Sequence, residues 1–342
     1  MKEGTPPRLS IGLPVYNGAR FVRATIDSIL AQTFADFELI VCDNASTDAT
    51  PQICAEYAAR DPRVRVHRND TNIGPSDNYN KALELARGEL FKWQAADDTL
   101  APTMFEKCIA ALDADPSLAG VYPRSKRIDE HGEVFGEYPT ELDLCHPSPA
   151  KRLRTFIFVN HRVHHAAELW SVFRVSALKH FAPLKGKYPS ADRVMLSRIL
   201  MAGSLKRVEE YLFFDRTHTG RSESQIDRAK VRDGSRLARR IGCGPLPAYQ
   251  WWDPSKAGKI VFPEFRWVFE YARGAFLIRT LSLWQRIQCL AVVGALAVKF
   301  TPRFARDLLI AGEQMLNRVV ERVFPDTPDE EAAELAPARA DR

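Results

Sequence analysis

The chain has 342 residues, of which 45% are hydrophobic and 27% charged, an ordinary globular composition large enough for one big domain or two smaller ones around a real core. Its formal net charge of +5 is modest for this length and gathers in the second half, as in Arg228 to Arg240, which reads as a solvated helix face before an acidic partner or a membrane surface. The opening MKEGTPPRLS has no apolar core, so no secretory signal is expected, and the longest apolar run, Cys289 to Val298, falls well short of the roughly 20 residues that span a bilayer. Cys42, Cys54, Cys108, Cys145, Cys243 and Cys289 form no CxxC pair and no metal-ligand spacing, and read as buried thiols of a reducing cytoplasm.

In chain order, Leu9 to Leu13 is a short strand ended by Pro14, and Phe21 to Leu30 repeats apolar residues at helical spacing. Phe37 to Cys42 is a second strand and Thr50 to Ala59 a second helix. Val64 to His67 and Asn78 to Ala86 repeat the pattern, and Glu89 to Trp93 is a fourth strand that delivers Asp97 and Asp98. Such alternation predicts right-handed βαβ units and a mainly parallel sheet. Ligands bind beyond the carboxyl ends of such strands, so the residues after each strand are where chemistry is sought.

Those ends are polar: Pro14-Val15-Tyr16-Asn17, then Asp43 to Asp48, then Arg68 to Gly74, then Asp97-Asp98. Each alone reads as a turn or a helix cap. Together they offer acceptors for a base and a ribose, and carboxylates for a cation. No GxGxxG follows the first strand and no GxxxxGK[ST] occurs, which argues against a dinucleotide-binding dehydrogenase or a P-loop NTPase.

The ordered series PVYNGARFVRATIDSILAQTFADFELIVCDNASTDAT, NIGPSDNYNKALELARGE and AADD resembles the nucleotide-sugar-binding half of the family-2 inverting glycosyltransferases. The resemblance implies the GT-A fold, a Rossmann-like, mainly parallel α/β sheet flanked by helices, and sugar transfer with inversion from a nucleoside-diphosphate donor with Mg²⁺ or Mn²⁺. It places Pro14, Tyr16, Asn17 and Asn72 on the donor side, Asp43 on the base, and Asp97 and Asp98 in the DxD-type motif. Many members of that family carry Asp-Ala-Asp-Asp where this chain has Ala95-Ala96-Asp97-Asp98. Asp98 is then expected as the metal ligand and Asp97 as the partner of the ribose or of a group that holds the metal.

Inversion also needs a carboxylate base for the acceptor hydroxyl. The family places it before a helix well beyond the DxD motif, and Asp192, leading into the apolar run Val194 to Leu200, fits that position; a first-turn Asp is the alternative reading of the residue alone. Tyr211 to Phe214 reads as a strand, and the segment from Asp215 to Ser222 resembles the family's Arg-x-His loop over the diphosphate. Arg216 is expected on a phosphate, and His218 on the metal or the leaving group.

Val121 to Gly132 reads as a strand, a turn and a further strand in the acceptor half, with His161, His164 and His165 as acceptor-pocket or surface residues. Pro245 to Pro254 reads as a rigid aromatic linker, and Phe262 to Val320 as amphipathic helices that pack on the catalytic domain or dock on anionic lipid. The resulting division is a flexible N-terminus over 1–7, a GT-A domain over 8–226 with its donor half at 8–100 and acceptor half at 101–226, a helical extension over 227–324, and a disordered tail over 325–342. The expected partners are a nucleotide sugar and a saccharide or lipid-linked acceptor, not nucleic acid, with peripheral membrane contact through the C-terminal helices. The expected setting is cell-surface glycan assembly in the cytoplasm, at the inner face of the membrane. A non-catalytic nucleotide-sugar-binding scaffold and a nucleotidyltransferase are the alternatives.

Overall fold

The computed structural model describes residues 5–138, 142–160, 164, 166–178, 188, 190–221 and 259–323. The linker at 245–254, the tail from 325, His161, His165 and Cys243 lie outside the described residues.

The first half alternates as its apolar pattern requires. Strands β1 (Leu9–Val15), β2 (Phe37–Asp43), β3 (Val64–Arg68) and β4 (Leu90–Trp93) are separated by helices α1 (Val22–Leu30), α2 (Thr50–Arg60) and α3 (Pro75–Glu84). All four strands run parallel, β1 between β2 and β4, with β3 outside β2. Both faces of β1 and β2 are buried, the mark of a sheet covered by helices on each side.

After β4 the chain adds β5 (Thr99–Leu100), α4 (Met104–Ala114), β6 (Leu118–Ile128), β7 (Val134–Glu137), α5 (Pro149–Ile157), β8 (Val172–Arg174), α6 (Val175–Leu178), α7 (Ala191–Ala202) and β9 (Ser204–Arg216). The strand order is β3-β2-β1-β4-β8-β6-β9-β5, with β7 paired on β6. The short β8 is antiparallel to both β4 and β6, so β6 regains the direction of β4 and pairs parallel with β9. The carboxyl ends of β1, β2, β4, β6 and β9 therefore face the same way. Of the strand, turn and further strand read at Val121 to Gly132, the strand is β6 and the turn follows it, with Gly132 at φ +93°, while the further strand, β7, begins only at Val134.

One side of the sheet packs α1, α2 and α4 through Val22, Ile26, Ile53, Phe105 and Ile109. The opposite side packs α3, α5 and α7. Gly12 permits α3 to close on β1, since a Cβ there would stand 2.7 Å from the Phe91 ring and 2.8 Å from the Ala82 methyl. Three C-terminal helices, α8 (Pro263–Leu277), α9 (Leu283–Lys299) and α10 (Thr301–Val323), follow. Tyr271, Ala275, Cys289, Val293 and Leu296 from α8 and α9 share one core with Leu153 and Phe156 of α5 and Leu196 of α7. Burial of a Val or Leu such as Val293 or Leu296 contributes about 1.5–3 kcal/mol, so these two helices are part of the folded body.

His164 corrects its expectation as a surface or acceptor-pocket residue. It is fully buried, its Nε2 lies 2.9 Å from Glu168 Oε2, and its ring sits edge-on to Tyr138 and Phe156. Cys42, Cys54, Cys108 and Cys289 are buried thiols as expected, whereas Cys145 is exposed.

Candidate active site

Register brings the donor-side residues together. Val15 pairs with Asp43, and Asp43 with Arg68, so the three strand ends lie side by side. Asp43 is buried; its Oδ1 accepts the Ser46 N–H and its Oδ2 a bond from Arg68 at 2.8 Å. The loop after β1 is tied to the loop after β2: the Asn17 N–H donates to Ser46 Oγ, the Thr47 N–H to Asn17 Oδ1, and the Gly18 N–H to Thr50 Oγ1. Asn17 holds a left-handed conformation at φ 51°, which its short polar side chain tolerates. Pro14 is buried in β1, while the Tyr16 ring stands half exposed above the strand ends.

Asn44 organises the third corner. Its Oδ1 accepts from Asn69 Nδ2 and the Ile73 N–H, both at 3.0 Å, and its Nδ2 donates to Asn72 Oδ1 at 2.8 Å. Asn72 also accepts the Gly74 N–H, at the left-handed glycine (φ 86°) that starts α3. Asn72 is thus exposed on a loop whose conformation is fixed by buried amides.

The carboxylate pair after β4 divides into an inward and an outward member. Asp98 is 1% exposed, and its Oδ1 accepts the Arg216 N–H at 2.8 Å. Burial, then the nearby Asp97 and Asp215, pushes its pKa well above the usual carboxylate range. Asp97 keeps 28% of its side chain exposed, and its Oδ2 lies 3.0 Å from His218 Nε2. Asp98, expected as the metal ligand, is therefore the member turned into the protein.

Arg216, expected to reach a diphosphate, turns inward too. It is 5% exposed; its Nε donates to the Asp97 carbonyl, and its NH1 to the carbonyls of Asp129 and Glu130 in the β6–β7 turn. One guanidinium thereby satisfies three carbonyls at once, the Asp129 carbonyl also accepting the Gly132 N–H within the turn. Phe21 supports the arrangement, with the Arg216 guanidinium 5.0 Å and the His218 ring 4.5 Å from its centre. Arg20, beside it, pairs with Glu130 at 2.6 Å. Phe21 was legible only as a helix-face residue, because nothing in its spacing announces contact with residues nearly 200 positions away.

Asp192 lies in the first turn of α7, after Ser190 at φ 62°. Among the described residues it makes no hydrogen bond or ion pair. Tyr79 of α3 is buried within the fields of both acidic groups: burial first, then Asp97, Asp98 and Asp192, holds its phenol well above the ordinary range. Tyr271 of α8 is likewise raised by burial, with Arg193 and Asp192 among the charges around it, and shares a core with α7 residues such as Leu196.

Among the described residues no group of three His, Cys, Asp or Glu forms a ready metal cage. The donor set of Asp97 and His218 still fits Mg²⁺ or Mn²⁺, since such ions take few protein ligands and complete their shell with water and substrate phosphates.

A family model described as Glycosyl transferase family 2 matches residues 10–181. The chain is 36% identical over 151 residues to chondroitin synthase of Escherichia coli, a match covering 41% of this chain and 22% of that protein. It is 32% identical over 129 residues to hyaluronan synthase of Pasteurella multocida, covering 38% of this chain and 13% of that protein. The chain thus spans less than a quarter of the length of these synthases. Residues 1–349 of S. aureus TarS, solved with UDP-GlcNAc, superpose with a TM-score of 0.50 at 16% identity, over 84% of this chain and 89% of that one, which is a likeness of fold. The family match takes in half of the chain and every donor-side strand end, while Asp192, Arg216 and His218 lie beyond it. On that match, this chain belongs to glycosyl transferase family 2.

Proposed function

We propose that the chain transfers a sugar, with inversion, from a nucleoside-diphosphate sugar to a hydroxyl of a saccharide or lipid-linked acceptor in polysaccharide assembly. The observation that carries this reading is the outward pair Asp97 and His218 at the shared strand end, with Asp192 in the field of the same Tyr79. The synthases among its relatives support the polysaccharide setting.

In this reading Tyr16 offers its exposed ring to the base, and the loops held by Asn17, Asp43 and Asn44 shape the nucleoside pocket. Asp97 and His218 hold a divalent cation, Mg²⁺ or Mn²⁺, which when bound neutralises the diphosphate and stabilises it as a leaving group. Asp98 positions Asp97 by gripping the Arg216 N–H, and Arg216 fixes the Asp97 backbone. Asp192 takes the acceptor hydroxyl's proton on the face opposite the leaving diphosphate, so the new bond forms with inverted configuration.

Ala95, standing where many members of the family carry an acid, favours a second reading: a nucleotide-sugar-binding scaffold without turnover. Thermal-shift measurements with UDP, GDP, dTDP, CDP and ADP, each with Mn²⁺ or EDTA, test the donor site. A metal-dependent shift with one diphosphate is expected, because a ligand that binds only the folded chain raises its melting temperature. No shift with any of them overturns the donor assignment. Binding without sugar release in the presence of acceptor extracts selects the scaffold.

A further inference from the structure

Helix α9 is apolar on two sides. Its inner side, Cys289, Val293 and Leu296, is buried in the core, as a surface helix requires. Its outer side, Leu283, Trp284, Ile287, Ala291, Gly294, Ala295 and Val298, recurs at helical spacing and is exposed, with no charge before Lys299 at the helix end. Leu283 is 75% and Trp284 66% exposed. Such a helix in water leaves a large apolar stripe unsatisfied.

The corner that leads into it is built rigidly. Arg286 donates to the carbonyls of Phe276, Ile278 and Leu281, the last turn of α8 and the turn after it. Ser282 and Gln285 form a reciprocal capping box at the start of α9. Their polar groups are consumed internally, and what the corner displays is Phe276, Leu277, Leu283 and Trp284 around Arg279. Helix α10 continues the pattern with exposed Leu308, Leu309, Met315, Leu316, Val319, Val320 and Val323.

Charge identifies what covers this face. Between 259 and 323 there are ten Lys and Arg against five Asp and Glu. Three of those acids, Glu264, Glu270 and Asp307, are buried, and each has an arginine within ion-pairing distance. Arg273, Arg279, Lys299, Arg303, Arg318 and Arg322 are exposed beside the apolar stripe. A second copy docked on this face would bring like charges together, whereas an anionic bilayer takes both the apolar side chains and the cations. No single helix among the described residues is long and apolar enough to cross a membrane. Helices α9 and α10 meet that test only as a pair bent by 60°, and the inner side of α9 is committed to protein.

We propose that the surface formed by the α8–α9 corner, the outer side of α9 and the exposed stripe of α10 lies in the interface of an anionic lipid bilayer, with Leu283 and Trp284 inserted among the acyl chains. This inference is independent of the transferase reading, since it rests on the C-terminal helices alone.

The test is flotation of the full chain with phosphatidylcholine vesicles, with and without phosphatidylglycerol. Binding to the phosphatidylglycerol vesicles alone is expected, reduced by added salt. The double variant Leu283→Glu, Trp284→Glu should lower partitioning by roughly ten- to hundredfold, the equivalent of one or two large apolar side chains left in water. Arg279→Glu should lower it by several-fold. Both sites are exposed, so an unchanged melting temperature shows the fold intact. Absence of the wild-type chain from every vesicle fraction overturns the proposal, as does binding that both variants retain. A lipid-free dimer that Leu283→Glu dissolves assigns the face to a second copy instead. Flotation that appears only after deletion of 325–342 assigns it to the chain's own acidic tail.

Discussion

His218 Nε2 lies 3.0 Å from Asp97 Oδ2, with the His218 ring resting on Phe21. The adjacent Asp98 instead spends its Oδ1 on a buried backbone N–H. Two neighbouring carboxyls thereby take different tasks, and substitution separates them. Asp97→Asn and His218→Ala should each abolish the Mn²⁺-dependent part of the thermal shift with the cognate diphosphate, leaving the EDTA baseline unchanged. Asp98→Asn retains an oxygen for the Arg216 N–H and should keep both the fold and the metal-dependent shift. The opposite pattern would return the metal to Asp98.

Asp192→Asn should leave the diphosphate-induced shift within error of wild type while lowering turnover by about 10²–10⁴-fold, the range for loss of a general base. Equal turnover in a sugar-release assay would remove Asp192 from the mechanism.

Lys92 gives a prediction independent of any ligand. Its ammonium is fully buried on β4, donates to the carbonyls of Trp93 and Trp170, and burial lowers its pKa from 10.5 to about 7. Between those values the unfolded chain binds the proton that the folded chain has released, so the stability of the fold rises with pH across that window. The unfavourable contribution is complete below pH 7 and fades toward 10.5. Urea unfolding of the wild type from pH 7 to 10 should show this rise, at most about 1.4 kcal/mol per pH unit, and Lys92→Met should flatten it. A parallel slope in the variant would place the titration elsewhere.

Asn44→Ala strips partners from Asn69, Asn72 and the Ile73 N–H. The expected loss is roughly 2–3 kcal/mol of stability by denaturant titration, since three hydrogen bonds worth about 1 kcal/mol each are lost together. Diphosphate affinity should weaken with it, because Asn72 and the 69–74 loop lose their anchor. Intact affinity at lowered stability would confine Asn44 to a folding role.

The alternation from β1 to β4 was legible because each strand is a short apolar run and each helix repeats its apolar residues at the right period. The polar strand ends pointed to the site for the same reason: parallel strands deliver their last residues to one edge. The inward and outward sides of Asp98 and Asp97 were not legible. They are decided by the Arg216 N–H, which arrives from 118 positions away. Arg216 misled for a related cause, since an arginine after a strand suits a phosphate as well as a set of carbonyls, and only the β6–β7 turn selects between them. β8 escaped notice because three residues carry no period, although this strand reverses direction between β4 and β6. Helix α4 did show the spacing, through Met104, Phe105, Cys108, Ile109 and Leu112, and lay in a stretch where no motif drew attention.

Arg216 fastens a carbonyl of the carboxylate loop to two carbonyls of the β6–β7 turn through one guanidinium. The two halves of the sheet, four parallel strands on one side and the long β6–β9 pair on the other, meet through the three residues of β8, and the stretch after the carboxylates is also tied to β9 where β5 pairs with it. A displacement of Asp97 must therefore drag the tip of the hairpin with it, and a displacement of the hairpin must drag Asp97. That buckle, with the β5–β9 pairing and the Asp98 bond beside it, makes the carboxylate loop and the hairpin mechanically one piece, so hinge-like opening between the halves requires all three to let go.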